Sequence, residues 1–183
     1  MEQILRLVIN CVALVLIVVL CATIKLRENK IRKSVGSCLV PLEQKKSWMI
    51  YLIVFFCVVI VALQFFRKFQ FYINVILDVV AILGVELSVK DFVLQKMSGV
   101  YENALIANSR LIPKNEIIAL PTLEYEESEE YKVEMENAEF ASDAYETAMK
   151  CLKVVTEKQG EFYIGFNSAE ERKKSVEILR TWI

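Results

Sequence analysis

The chain has 183 residues, 55% of them hydrophobic, and a mean hydropathy of +0.40. Soluble domains usually contain about 45–50% apolar residues, so this composition indicates membrane-embedded segments. The sequence has no histidine, which excludes a Ser-His-Asp triad and an HExxH zinc site. We therefore predict a protein that is not an enzyme, with no catalytic, cofactor or metal site.

Charge is distributed unevenly along the chain. Residues 1–89 contain ten Lys/Arg and five Asp/Glu, whereas residues 90–183 contain twelve and eighteen. Nucleic acid binding needs clustered positive charge, which the acidic second half does not offer. We predict that the partners are the lipid bilayer and a protein or a second copy of the chain, with no nucleic acid polymer. The five scattered cysteines indicate buried small hydrophobes and not a disulfide framework.

The first apolar span, about residues 4–25, has the length of a transmembrane helix. A signal peptide is the alternative, but its apolar core would be shorter and would end at a small-x-small cleavage site. Residues 18–22 read VVLCA, which is a poor cleavage site. We therefore predict a retained membrane anchor.

Residues 25–46 are predicted to form a basic loop. They include seven Lys/Arg and two Glu, and short loops rich in Lys and Arg stay in the cytoplasm. Such a cluster also attracts anionic lipid, but we favour a plain topology signal over a specific lipid site. The second span, residues 48–66, contains no charge and is predicted to cross the membrane outward.

The third span, residues 71–89, contains three polar side chains: Asn74, Asp78 and Glu86. Asn74 and Asp78 are four residues apart and therefore share a helical face. Either the span crosses the membrane with this face against the other helices, or it lies in the interface as an amphipathic helix. We favour crossing, and interpret these residues as intramembrane polar contacts through interhelical hydrogen bonds or near water.

Residues 90–98 are predicted to form a linker helix, and residues 99–183 a β domain. Short strands are expected at 99–101, 104–107 and 110–112, followed by a longer strand over 116–125 that Pro121 limits to an edge or bulged position. Residues 124–146 contain ten Asp/Glu and one Lys. They lack the spacing of an EF-hand, so we predict a solvated face. It includes one half-buried strand over 131–136 and, over 137–147, a loop or one loose helical turn.

The last elements are a hairpin and a helix. Strands over 149–156 and 161–166 flank a short loop closed by Gly160. Ser168 and Glu171 form a capping box at the start of a C-terminal helix over 168–183. Arg172 to Lys174 are expected on its solvent side.

Residues 99–118, GVYENALIANSRLIPKNEII, resemble a pattern G-I-Y-E-N-G-I … I-P-W-x-x-I found in small uncharacterised bacterial membrane proteins. In those proteins short apolar helices precede a pleckstrin-homology-like domain. Ala104 stands where the pattern has Gly, and Lys114 where it has Trp. The resemblance implies a small antiparallel β-barrel or sheet domain closed by a C-terminal helix. It implies no catalytic residues. The residues that match are Gly99, Tyr101, Glu102, Asn103, Ile112, Pro113 and Ile117.

These features together predict two or three transmembrane helices that carry a pleckstrin-homology-like domain on the cytoplasmic side of the cell membrane. The expected function is non-enzymatic binding or scaffolding. The alternative is a membrane-disrupting effector whose β domain senses a nucleotide signal through cationic residues, for which the candidates are Arg110, Lys114, Lys150 and Lys153. A transporter subunit that uses Asp78 and Glu86 is a third class.

Overall fold

The chain forms two compact units. The computed structural model describes residues 2–42, 48–67, 69–126 and 150–183. One unit comprises Met1–Lys33 and Lys45–Lys96, and the other Ser34–Gln44 and Met97–Ile183. We call them the helical unit and the β unit. Each is built from two separate stretches of the chain, because the second and third apolar spans lie between two stretches of the β unit.

Four helices are described in the first unit: α1 (Glu2–Ala22), α2 (Ile24–Val35, which ends in the β unit), α3 (Trp48–Phe66) and α4 (Phe71–Lys96). Three of these described helices, α1 from Ile4 onward, α3 and α4, are long and apolar enough to cross a membrane. The prediction of apolar helices compatible with a membrane is therefore confirmed.

The core of the helical unit lies where α1, α3 and α4 pack together. A Cβ atom added at Gly84 would lie 2.9 Å from the Cys57 sulfur, so glycine is what allows α3 and α4 to approach closely here. Close helix approach over small residues is typical of membrane bundles. The buried apolar residues of this core are Ala13, Ile17, Cys57, Val61, Ala81, Val85 and Val89.

Two boundaries differ from the sequence predictions. The predicted basic loop over 25–46 begins as helix α2, because the chain is only briefly interrupted at Thr23, whose carbonyl still accepts the Arg27 N–H at 2.9 Å. The predicted linker helix over 90–98 is the end of α4, which runs without a break to Lys96. The reason in both cases is that neither residues 24–35 nor residues 90–96 contain a proline or a glycine.

The described residues of the β unit form two antiparallel sheets. The first has the strand order β1-β2-β3-β4, and the second β5-β6-β7. The pairing of β1 with β2 joins Pro41 to Gly99, although 57 residues separate them in the chain. The strands are β1 (Cys38–Pro41), β2 (Gly99–Tyr101), β3 (Ala104–Ala107), β4 (Arg110–Pro113), β5 (Ile117–Ala119), β6 (Cys151–Thr156) and β7 (Gly160–Gly165).

The two sheets are not closed into a barrel, which corrects that part of the predicted fold. They share one apolar core, to which strands of both sheets and the C-terminal helix contribute residues such as Leu105, Leu152 and Leu179. Near β4 and β7, side chains connect the two sheets: Asn108 Nδ2 donates to the Tyr163 carbonyl at 2.7 Å, and Gln159 Nε2 donates to the Leu111 carbonyl at 3.0 Å. These side-chain hydrogen bonds lie where a closed barrel would have backbone hydrogen bonds between two strands.

Two tight turns lie where the sequence predicts breaks between strands, at residues 108–109 and in the loop closed by Gly160. Asn108 and Ser109 have φ values of 50° and 57° and join β3 to β4, as in the two-residue turns whose twist suits a hairpin. The β6–β7 hairpin closes at the Thr156–Gly160 pair, and Gly160 has a φ of 72°. The lack of a Cβ makes that conformation accessible to glycine.

The predicted long strand over 116–125 is wrong beyond Ala119. A short 3-10 turn (Lys114–Glu116) precedes β5, and helix α5 (Pro121–Glu126) follows it. Proline is favoured at the first position of a helix because its fixed φ is helical and its missing N–H needs no partner there. The predicted strand over 131–136 and loop over 137–147 lie outside the described residues, as does most of the acidic stretch.

The C-terminal helix α6 (Ala169–Arg180) begins as the sequence predicts. Ser168 Oγ accepts the Glu171 N–H at 3.1 Å, while the Glu171 carboxylate accepts the Asn167 N–H at 3.0 Å, one residue earlier than in a standard capping box. The prediction for Arg172 is wrong. This residue is only 8% exposed, because it pairs with Glu126 of α5 and its Nε faces the Cys151 carbonyl.

Candidate functional site

A buried polar cluster lies inside the helical unit and is centred on Asp78. Gln64 of α3 donates its amide to Asp78 Oδ1 at 3.0 Å. Asn10 of α1, with its amide nitrogen facing two acceptors, donates to Asp78 Oδ2 and to the Arg6 carbonyl, both at 3.2 Å. Asn10, Gln64 and Asp78 are 2%, 5% and 3% exposed. Each of the three long helices therefore contributes one polar side chain to the same point.

Asn74 belongs to the same face of α4, one turn before Asp78, and is 2% exposed. Its Oδ1 has no hydrogen-bond partner among the described residues. Asp78 lies seven residues into α4, or about 10 Å from the start of the helix at a rise of 1.5 Å per residue. The cluster is therefore near the end of the bundle where α3 passes into α4.

A buried carboxylate in an apolar bundle is expensive unless it is hydrogen-bonded. The two amide donors meet this requirement for Asp78, and they also fix the register of α1 and α3 against α4. Interhelical hydrogen bonds of this kind stabilise membrane bundles by about 0.6 kcal/mol on average. The sequence pattern identified Asn74 and Asp78 but missed Asn10, whose signal was a lone polar residue in the run LVINCVALV.

Glu86 is part of a second polar contact, at the opposite end of the unit. Arg27 of α2 binds it with both terminal nitrogens, at 2.6 and 2.7 Å, and the Arg27 Nε donates to the Thr23 hydroxyl at 3.1 Å. The hydrogen bond to Glu86 raises the pKa of the Arg27 guanidinium. The structure thus separates Glu86 from Asp78, which the sequence had grouped together as intramembrane candidates.

A further ion pair continues this contact. The Glu28 carboxylate accepts from Lys96 at 2.6 Å, and Arg32 lies 3.6 Å from the same carboxylate. Helix α2 is therefore held along the second half of α4 by charged groups, whereas α1 is held to α4 by apolar packing and the Asp78 cluster.

The four cationic candidates of the β unit do not share one binding site in the described residues. Arg110 lies over the Phe162 ring at 5.7 Å, and Lys153 pairs with Glu161 at 2.6 Å, which raises the pKa of the lysine. Lys114 and Lys150 occupy two other places.

Lys114 lies over the Trp182 ring at 5.7 Å, and Lys150 precedes β6, where its carbonyl accepts the Phe166 N–H. Lys114 stands at the position where the pattern that residues 99–118 resemble has tryptophan. In this chain Trp182 packs against the core of the β unit and the lysine covers its ring.

The G-V-Y-E-N motif has a structural role in the β unit. The Tyr101 hydroxyl donates to the Met97 carbonyl at 2.8 Å, the Glu102 N–H donates to the Ser37 carbonyl, and the Asn103 N–H donates to the Val35 carbonyl. The motif therefore fixes residues 35–37, the link between α2 and β1, onto the turn between β2 and β3.

Gly36 and Glu102 meet in the same contact. Gly36 has a φ of 85°, and a Cβ atom there would lie 2.4 Å from Glu102 Oε2. The Ser37 hydroxyl donates to the other carboxylate oxygen, and this hydrogen bond lowers the pKa of Glu102. We call the set Gly36, Ser37 and Glu102 the link clasp.

Comparison of the chain with known protein families, curated proteins and solved structures finds no match. What the chain does must therefore be argued from its own residues.

Proposed function

We propose that this protein is a multi-pass membrane protein with three crossings, and that its β unit is a cytoplasmic, non-enzymatic binding or scaffolding module. The observation that carries the proposal is the pairing of β1 with β2, because it sets how often the chain between them crosses the bilayer.

The number of crossings follows from strand pairing. The Leu42 N–H donates to the Ser98 carbonyl at 3.1 Å, next to the Pro41–Gly99 strand pair. The chain between residues 42 and 98 therefore leaves and re-enters the β unit at one place. If α3 crosses the bilayer, α4 must cross back. This argument favours crossing over an interfacial position for the third span.

Orientation is supported by the distribution of cations. Residues 25–46 contain seven Lys/Arg, whereas the opposite ends of the helices contain Arg6, Arg67 and Lys68. The more basic side stays in the cytoplasm. Because residues 34–44 belong to the β unit, this unit would be cytoplasmic and the N-terminus would face outside.

Binding is supported by the open sheets. The outer strands β1 and β5 carry Leu39 and Ile118, which are 46% and 54% exposed. Exposed strand edges accept an added strand from a partner, and neighbouring side-chain positions give the specificity. The strands, their antiparallel pairing and the terminal helix also support a pleckstrin-homology-like module, here in an open form.

A photo-cross-linking residue at position 118 of the full chain, expressed in cells, tests the binding proposal. We expect one discrete adduct with a protein partner or a second copy of the chain. The matched control is position 174, an exposed lysine site on α6. If position 118 gives no adduct beyond that at position 174, the proposed edge is not a binding surface.

A reporter fused after Ile183 tests the orientation separately. A reporter enzyme that is active only in the cytoplasm should be active when fused after Ile183. The same enzyme fused after Gln70 should be inactive. Activity in the opposite pattern would place the β unit outside and contradict the proposed topology.

A further inference from the structure

A cavity lies between the helices of the helical unit, on the side where α2 begins. Its volume is about 170 Å³, and all its described lining side chains come from this unit. An apolar cavity of ~150 Å³ stays free of water and takes up an apolar molecule of the size of benzene. The lining includes Cys21, Ile24, Tyr51, Val54, Ser88 and Phe92.

The wall of this cavity is apolar in its chemistry. The Ser88 hydroxyl donates to the Gly84 carbonyl of its own helix at 2.8 Å and so has its partner there. Tyr51 and Phe92 meet edge to face at 5.8 Å, and Tyr51 is 58% exposed. The cavity therefore reaches the outer surface of the bundle, where the neighbouring molecules in a membrane are lipids.

Cationic residues follow the cavity-lining residue Ile24 along α2. Ile24 lines the cavity and begins α2, a helix with five Lys/Arg and one Glu. Arg27 is paired with Glu86, but Lys25, Lys30 and Lys33 are exposed, and no carboxylate pairs with them among the described residues. Clustered lysines at the membrane surface attract anionic headgroups.

We propose that this cavity and the α2 lysines form a binding site for one anionic phospholipid of the cytoplasmic leaflet. An acyl chain enters the cavity between Cys21, Val54 and Phe92, and the phosphate-bearing headgroup lies against Lys25 and Lys30. The site rests on the membrane placement proposed above, and it goes beyond it by naming a lipid class and the residues that select it.

The test uses the full chain purified in a neutral detergent and titrated with phosphatidylglycerol or with phosphatidylcholine of the same chains. Native mass spectrometry counts the lipids that remain bound. We expect one phosphatidylglycerol to be retained with at least tenfold preference over phosphatidylcholine. Equal retention of the two lipids would overturn the proposal.

Two groups of variants separate the parts of the site. Lys25→Gln with Lys30→Gln should reduce the preference for phosphatidylglycerol by about tenfold or more, since each lysine near a surface contributes roughly a fivefold effect. Lys173→Gln with Lys174→Gln on α6 is the control. An unchanged preference in the α2 variant would overturn the headgroup assignment.

Cys21→Phe fills the cavity and should weaken retention of both lipids, whereas Val15→Phe, at a 61% exposed position of the same helix, should not. Ser88→Leu is a second filling variant should Cys21→Phe fail to fold. If the folded filling variants retain both lipids as well as the unaltered chain does, the cavity assignment is overturned. It is also overturned if glycerophosphoglycerol, which has no acyl chains, displaces bound phosphatidylglycerol as effectively as free phosphatidylglycerol does. If only the proposed membrane topology is wrong, the reporter fusions will give the opposite activity pattern.

Discussion

The carboxylate of Asp78 connects three helices through two amide donors. Replacing Asp78 with Leu leaves the Gln64 and Asn10 amides buried without their acceptor, which costs more than losing the hydrogen bonds alone. We expect Asp78→Leu to lower the free energy of unfolding in detergent by about 1–3 kcal/mol. Thermal unfolding followed by circular dichroism measures this change.

A triple variant serves as the control for the Asp78 prediction. When Asn10, Gln64 and Asp78 are all replaced by Leu, the variant contains no amide that has lost Asp78 as its acceptor. The triple variant should therefore be more stable than Asp78→Leu alone. A loss equal to the sum of the three single losses would mean that the residues do not act as one cluster.

The link clasp predicts a specific intolerance at Gly36. An added methyl group meets the Glu102 carboxylate and must also accept a left-handed backbone, which costs about 1–3 kcal/mol for a residue other than glycine. Gly36→Ala should lower the melting temperature of the full chain. Gly165→Ala, where a Cβ meets nothing within 4 Å, should leave it nearly unchanged. Equal melting temperatures for the two variants would contradict the clasp.

The same clasp predicts an acid response. The hydrogen bond from Ser37 lowers the pKa of Glu102 in the folded state, so its contribution to stability is present above the usual carboxyl pKa of about 4.3. It is lost as the pH falls through the lowered value. Glu102→Gln should therefore lower the melting temperature at pH 6 and reduce its further fall towards pH 3. Glu157→Gln, at an exposed glutamate in the β6–β7 loop, should leave the profile unchanged.

Among the elements, α2 depends on charge for its position. Both terminal nitrogens of Arg27 donate to the Glu86 carboxylate, and the two side chains are 30% and 38% exposed. We therefore expect a coupling free energy between Arg27 and Glu86 of about 1 kcal/mol. Arg27→Leu and Glu86→Leu, alone and together, form a double-mutant cycle for thermal unfolding. Additive losses would mean that the pair does not hold α2 to α4.

The sequence predicts elements where local signals are strong. Long apolar runs identify α1, α3 and α4, and the Asn108–Ser109 turn and the capping serine at position 168 identify β3–β4 and α6. It fails where a partner distant in the chain decides the structure. Strand β1 is four residues within a basic stretch, and it is a strand because β2 pairs with it.

The candidate sites, like the strands, are predictable from the sequence only where the interacting residues are close in the chain. The spacing of residues along one helix is sufficient to predict that Asn74 and Asp78 are neighbours, because both lie on one face of α4. It is not sufficient to find Asn10 or Gln64 as the partners of Asp78, since helix packing brings them there. Spacing also placed Arg172 on the solvent side, whereas Glu126 of α5 holds it in the interior of the β unit.

At the scale of the whole molecule, two long apolar helices interrupt the chain between two neighbouring strands of one β sheet. Helices α3 and α4 lie in the chain between β1 and β2, which are neighbouring strands of the same sheet. If α3 and α4 cross a bilayer, the pairing of these strands requires an even number of crossings between them. In the proposed topology the first helix adds one more crossing, which would place the N-terminus and the β unit on opposite sides of the bilayer.

The most direct test is thiol labelling in intact cells with a reagent that does not cross membranes, in a background where the five native cysteines are replaced. Gln70→Cys lies between α3 and α4, and Lys158→Cys lies in the β6–β7 loop. We predict that Gln70→Cys is labelled from outside and that Lys158→Cys is labelled only after the membrane is permeabilised. Labelling of both sites from outside, or of neither, would contradict the crossing of α3 and α4.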